Sequence, residues 1–309
     1  MNITMKSLLA ATAAISLVAC VKQDAPPDAI SRALPTADQV SIKLPVASNR
    51  TIGDLAEWYV ATRNVTLMFN GGTAWVLVLL HAIVQYPVTS ISGDTYTWGP
   101  FSNALDPAEY KLDVKDMGDG TYQYTFSGRS KTQANSTFEV VIDGVADPRK
   151  GDLQGNGKFL LDFDAGRRVN PIDGDPNARG QVEVNYDLAQ RHLGLTIMTT
   201  DSAGKLVSAD YAYNETADGG GDMVFDVDGD AGGGAALESI TLRSRWLSTG
   251  IGRADARITG GDAGTGVTAS ECWDKQFARV FYQDSLGFSP TEGKVSDCAF
   301  ATADLPPAH

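Results

Sequence analysis

From Tyr110 to about Ile258 apolar and polar residues alternate, and this alternation restricts the fold more than any other feature of the chain. A period of two places successive side chains on opposite faces of an extended strand. Gln181–Leu188 shows it most plainly: Val182, Val184, Tyr186 and Leu188 share one face, and Gln181, Glu183, Asn185 and Asp187 the other. The pattern recurs in Tyr110–Val114, Tyr122–Phe126, Phe138–Ile142, Phe159–Phe163, Leu193–Ile197, Val207–Tyr213, Met223–Val227, Ile240–Trp246 and Ala254–Ile258. That predicts about ten strands, each with one apolar and one polar face. Asp119-Gly120, Asn156-Gly157, Ala203-Gly204 and Asp218-Gly219 stand between them as hairpin turns.

Short links between consecutive strands imply an antiparallel meander. A long meander with one apolar face must curve, close or be covered, since a bare open sheet wets its core face. The expected fold class is therefore mainly β: a curved sheet or barrel with two N-terminal helices packed on or in it. A membrane-spanning barrel is disfavoured by the polar, Pro-rich end Leu305–His309 and by the lack of recurring aromatic girdles.

Helical periodicity precedes the strands. Thr51 and Asp54 have capping-box spacing, and Ile52, Leu55, Tyr59, Val65 and Phe69 fall near one helix face. Asn70-Gly71-Gly72 predicts a break, and Thr73 opens a second helix that Pro87 stops after Tyr86. Trp75–Val84 is apolar almost all round, which places it inside the fold. Its length, about 14 residues for the second helix, is short for a membrane span. His81 reads as a core residue with one satisfied hydrogen bond. A further short helix is expected from Ser270, with Trp273, Phe277, Val280 and Phe281 inward.

The N-terminus reads as an address. Lys6 precedes an apolar run from Leu8 to Ala19, the layout of a secretory signal, and the run is too short for a mature span. It ends in Leu17-Val18-Ala19-Cys20, which resembles the lipobox of bacterial lipoproteins. The resemblance implies cleavage before Cys20, acylation of Cys20, and a membrane partner through the lipid. An ordinary signal peptide ending in Cys is the bland alternative. Val21 as second mature residue favours the outer membrane under the family's sorting rule, with periplasmic or surface side left open. The expected organisation is a signal peptide over 1–19, lipidated Cys20 with a flexible tether over 20–49, helices plus meander over 50–267, and a disulfide-closed segment over 268–309.

An oxidising compartment makes a disulfide between the two remaining cysteines, Cys272 and Cys298, the natural expectation. The net charge of -13 argues against a nucleic-acid partner. Asp226, Asp228 and Asp230 in Asp-Val-Asp-Gly-Asp are the metal candidate, with calcium as the ion. The competing and preferred reading is an acidic hairpin end, because the full calcium-loop pattern is absent; Asp173 and Asp175 offer still less. Apart from calcium no cofactor is expected. Arg243, Arg245, Arg253 and Arg257 cluster on two successive strands and suit an anion. Cross-strand pairing with Glu183, Asp187 or Asp255 is the structural alternative.

Catalytic templates are missing: there is no G-x-S-x-G, no H-E-x-x-H and no phosphate-cradling Gly loop. The body resembles a set of lipoproteins from myxobacteria-like Gram-negative organisms. The resemblance rests on Trp98-Gly99-Pro100, Ser244-Arg245-Trp246, Gly252-Arg253-Ala254-Asp255, Glu271-Cys272-Trp273-Asp274 and Cys298-Ala299-Phe300. No activity is established for that set, so it implies no site residues. The functional expectation is a non-enzymatic envelope lipoprotein that binds a partner or serves a structural role. A lipocalin-like or lipoprotein-carrier-like binder of an apolar ligand stands second, and an enzyme third.

Overall fold

A computed structural model describes residues 30, 32, 34, 36, 38–45, 55–149, 154–172, 179–200, 206–229, 236–287 and 289–305. The protein is one antiparallel sheet of 15 strands whose spatial order follows the chain order, β1 to β15. The ten strands expected from alternation are β3 (Ala108–Asp116), β4 (Tyr122–Ser130), β5 (Glu139–Asp147), β6 (Asn156–Asp162), β7 (Gln181–Asp187), β8 (His192–Thr200), β9 (Leu206–Glu215), β10 (Gly221–Gly229), β11 (Glu238–Trp246) and β12 (Gly252–Gly260). Five more flank them: β1 (Ser90–Ser92), β2 (Thr95–Phe101), β13 (Gly264–Trp273), β14 (Arg279–Asp284) and β15 (Glu292–Gly293). Alternation missed these because they are short or because a polar residue interrupts the apolar face. In β13 that residue is Glu271. The sheet is open rather than a closed barrel, since β1 and β15 are its unjoined edges.

The pleat assigns faces as the sequence predicts. Val182, Val184 and Tyr186 are buried while Gln181, Glu183 and Asn185 keep part of their surface. In β5 the expected face Phe138–Val140–Ile142 is overturned. Phe126 pairs with Ile142 but Ser127 pairs with Val140, so Val141 is an extra residue that reverses the face. Val141 and Ile142 are both buried, and Val140 is 48% exposed. Such a bulge switches every side chain beyond it. Phe163 does not extend β6 either. Asp162 accepts a hydrogen bond from Ala165 N at 2.8 Å and caps a short helix, Phe163–Val169, packed on the ends of β4 and β5.

A single helix α1, Glu57–Val84, replaces the two expected ones and runs unbroken through Asn70-Gly71-Gly72. Asn70 does not stop it because its side chain is occupied elsewhere. Its Oδ1 accepts from Ile42 N and its Nδ2 donates to Ile42 O, both at 2.9 Å. The proposed cap Thr51–Asp54 lies outside the described residues. Of the segment expected inside, Leu80, Ile83 and Val84 are buried and Ala82 is exposed, while the side chains of residues 75–79 lie outside the described ones; earlier in the helix Tyr59, Thr62 and Thr66 are inside and Arg63, Asn64 and Leu67 exposed. His81 Nε2 meets Leu34 O at 2.8 Å, the satisfied partner expected of it. No helix among the described residues is long and apolar enough to cross a membrane.

One buried cluster joins α1 to side chains from β2 through β13. At its start Tyr59 stacks on Phe277 at 4.3 Å and meets Trp273 at 5.7 Å. Beyond its end Trp98 Nε1 in β2 donates to Tyr86 O at 2.8 Å. The helix thus crosses the inner face from β13 to β2. Part of the expected flexible tether also belongs to the core: Ile30, Leu34, Val40 and Ile42 are buried, and Trp246 Nε1 donates to Lys43 O at 3.1 Å. The helix expected from Ser270 is instead the hairpin of β13 and β14.

Large aromatics on the inner face lie over glycines of the neighbouring strand. Tyr124 pairs with Gly144, Tyr186 with Gly157, Trp246 with Gly221, and Trp273 with Gly252. A glycine there leaves room for a ring to lie flat on the backbone, a device that shields the exposed peptide and lets a sheet bend.

Candidate functional site

The polar face of β10–β13 carries the densest group of charged side chains that the fold brings together. The pleat puts Arg243 and Arg245 of β11 on the same face as Arg253, Asp255 and Arg257 of β12. The register sets Arg245 opposite Arg253, a like-charge pair that needs a counter-charge. Asp255, fully buried, supplies it. It takes Arg253 Nε at 2.9 Å, Arg245 Nη2 at 3.2 Å and Ser270 Oγ at 2.6 Å. Arg243 forks onto Asp222 of β10, with Nε–Oδ1 at 3.0 Å and Nη2–Oδ2 at 2.6 Å. That two-point contact suits guanidinium geometry and raises the pKa of Arg243 further above its ordinary value.

The C-terminal residues lie across this face. Arg253 Nη1 donates to Phe300 O at 3.1 Å and Ala301 O at 3.2 Å, and Arg245 Nη2 donates to Thr302 O at 2.8 Å. Arg243 Nη1 meets Asp304 Oδ2 at 2.9 Å. The Arg245 guanidinium stands 5.0 Å from the Phe300 ring centroid. A disulfide between Cys272 and Cys298 ties the start of this segment to β13 beside Arg253, with Cα atoms 5.5 Å apart. The 26-residue separation corresponds to about 3 kcal/mol of lost unfolded-chain freedom in the entropy model.

The four arginines of the sequence analysis are therefore neighbours, and Asp255 is the foreseen partner. Glu183 and Asp187 are not: Glu183 accepts from Asn185, and Asp187 accepts from Gln190 N. Alternation gave no sign of Asp222 as a partner or of the C-terminal carbonyls, because neither depends on local spacing.

Asp226 and Asp228 lie within β10, and Asp230, Asp173 and Asp175 lie outside the described residues. Among the described residues no three His, Cys, Asp or Glu side chains are grouped to hold a metal. Cys20 also lies outside them. A shallow polar depression lined by Thr95, Asp113, Lys115, Gln123 and Thr125 sits on β2–β4, where Asp113 already takes Thr97 Oγ1 and Lys111 Nζ, each at 2.6 Å.

On the opposite face a single carboxylate holds the start of α1. Glu271 of β13 is fully buried. It accepts from Glu57 N at 3.1 Å, Trp58 N at 2.5 Å and Arg279 Nε at 2.6 Å. Burial raises its pKa above the ordinary glutamate value, against the lowering effect of the Trp58 and Arg279 hydrogen bonds. Unpaired N–H groups and the positive end of the dipole make a helix N-terminus a natural seat for this charge.

Compared with protein-family models, curated proteins and solved structures, the chain matches none.

Proposed function

We propose that this chain is a lipid-anchored protein of the bacterial cell envelope, held by acyl groups on Cys20, with a non-enzymatic binding or structural role. The observation that carries the reading is the division of the three cysteines. Two form the Cys272–Cys298 disulfide, and the third is Cys20, which closes Leu17-Val18-Ala19-Cys20 after an apolar run. A disulfide suits a compartment outside the reducing cytosol. Several acyl chains give a durable tether because each buried CH₂ contributes about 0.8 kcal/mol. Ile30 is buried in the body, and nine residues of sequence separate it from Cys20. At ~3.5 Å per extended residue, that holds the body within roughly 30–35 Å of the anchor. Val21 supports the outer membrane as the site.

Expression of the native chain and Cys20→Ser in a Gram-negative host, with mass spectrometry and detergent-phase partitioning, tests this. The native chain is expected as a mature acylated form in the detergent phase, and the variant as an unacylated form in the aqueous phase. Equal partitioning of the two overturns the anchor.

A second reading, a carrier of an apolar ligand, is favoured by one specific feature. Ile197, Val207, Phe225, Val227, Ile240 and Ile258 share the inner face of β8–β12 away from the start of α1 and keep part of their surface exposed. Contiguous apolar surface of this kind suits an apolar guest. Mass spectrometry of the purified full chain is expected to find a stoichiometric lipid distinct from the anchor, lost in Phe225→Asp. A lipid-free native chain overturns the carrier and leaves the anchor intact.

A further inference from the structure

The geometry points to the outer face of β10–β13 as a groove for an extended acidic peptide, with Phe300–Asp304 as its built-in, displaceable occupant. The way the C-terminal segment is held supports this. Arg253 and Arg245 read the main-chain carbonyls of Phe300, Ala301 and Thr302, groups that any extended peptide carries. Two side chains add selectivity. Phe300 lies against Arg245, and four residues on Asp304 faces Arg243 at 2.9 Å and Arg245 at 3.7 Å. The groove therefore selects an aromatic residue followed four positions later by a carboxylate.

The occupant adds little of its own to the core. Ala301, Thr302, Ala303 and Asp304 are all exposed, and no backbone pairing joins them to the sheet. Residues 300–304 are held by single guanidinium nitrogens of Arg253 and Arg245 on their carbonyls and by Asp304 N donating to Asp255 Oδ2 at 3.4 Å, and are kept near by the disulfide at Cys298. Such tethering raises local concentration without requiring a tight contact. The receiving side, by contrast, is well built: Arg253 is 3% exposed and Asp255 0%. Arg245 Nε is buried with no hydrogen-bond partner. The pleat puts Asp222, Asp226, Asp228 and Asp255 on the same face as the four arginines, so the face as a whole is balanced and the pull on a carboxylate is local to Arg243 and Arg245, where Asp304 sits. This inference does not depend on the lipid anchor.

The test uses the full chain in detergent, a variant ending at Ala299, and a fluorescent peptide with the sequence Ala299–Leu305. The truncated variant is expected to bind saturably. The intact chain is expected to reach the same anisotropy end point at concentrations at least tenfold higher, because its own segment must first leave. Peptides with the Phe changed to Ala or the Asp to Asn are expected to bind at least fivefold more weakly, and Arg245→Ala to lose binding. Three results each overturn the proposal: no binding to a truncated chain whose near-ultraviolet circular dichroism is unchanged, no binding to the intact chain at any concentration, or equal binding of the altered peptides. Should truncation unfold the chain, Asp304→Asn in the intact chain is the substitute. It is expected to tighten peptide binding severalfold, and unchanged binding overturns the displaceable segment.

Discussion

Glu271→Ala is expected to lower the stability of the protein by about 3–5 kcal/mol, the range for removing one partner from a buried charged contact. The substitution takes one acceptor from three donors: Glu57 N, Trp58 N and Arg279 Nε. Ala56, just before the helix, offers no side-chain cap to replace it. The helix would lose its fixed start against β13, and Tyr59 its seat on Phe277 and Trp273. Urea unfolding followed by circular dichroism measures the loss. A change below about 1 kcal/mol, no more than the average point substitution, would show that water takes over the cap.

The same carboxylate sets a pH dependence with a definite sign. Its folded pKa is raised, chiefly by burial. A raised acid binds its proton more readily in the folded state, so this group adds stability as pH falls through its folded pKa and withdraws it as pH rises. Its contribution is complete below the ordinary glutamate value. Glu271→Gln removes the titration while keeping the shape. The stability of the native chain relative to Glu271→Gln is therefore expected to increase from pH 7 towards pH 5. A gap that stays constant or narrows would count against a buried, desolvated carboxylate. Asp119 and Asp218, lowered by Thr121 and Thr216, act in the opposite sense, which is why the comparison with the variant is the readout.

Gly252→Ala is expected to cost about 3 kcal/mol, the upper part of the usual range for overpacking. A Cβ at this position would lie 2.6 Å from Cε2 of Trp273 and 2.7 Å from Arg245 O. Neither neighbour yields easily. Trp273 is fully buried and its Nε1 donates to Gly250 O at 2.9 Å, and Arg245 O is backbone in the centre of the sheet. Gly194→Ala is the control, since its Cβ would meet nothing closer than His192 Nε2 at 3.6 Å. It is expected to change stability by less than about 0.5 kcal/mol. Thermal unfolding with tryptophan fluorescence separates the two. Equal effects would show that the indole shifts freely over its glycine.

Much of the sheet was legible before any coordinates. The face of each residue in Gln181–Asp187 is written in its alternation, because the pleat is a local property of consecutive residues. The arginine cluster was legible for the same reason: positions 243, 245, 253, 255 and 257 share parity across one hairpin. The errors arose where a distant group changes the local rule. Val141 enters β5 as an extra residue and reverses the face of Val140. Asn70 loses its helix-breaking character because Ile42 occupies its amide. The stretch from Ser270 forms a hairpin rather than the expected helix, and Glu271 within it faces inward, where the start of α1 stands opposite.

The sequence by itself determined the strand language, the antiparallel order of its central ten strands and the cysteines available to pair. Each of these depends on neighbours within a few positions or on the count of a residue type. Only the tertiary structure decided that the sheet stays open, that one helix crosses it, and that the C-terminal carbonyls rest on the arginines. Those contacts join residues far apart in the chain, as Trp58 and Glu271 are at a separation of 213. No local periodicity encodes them; they form only once the strands have bent and brought buried donors within reach of the acceptors they require.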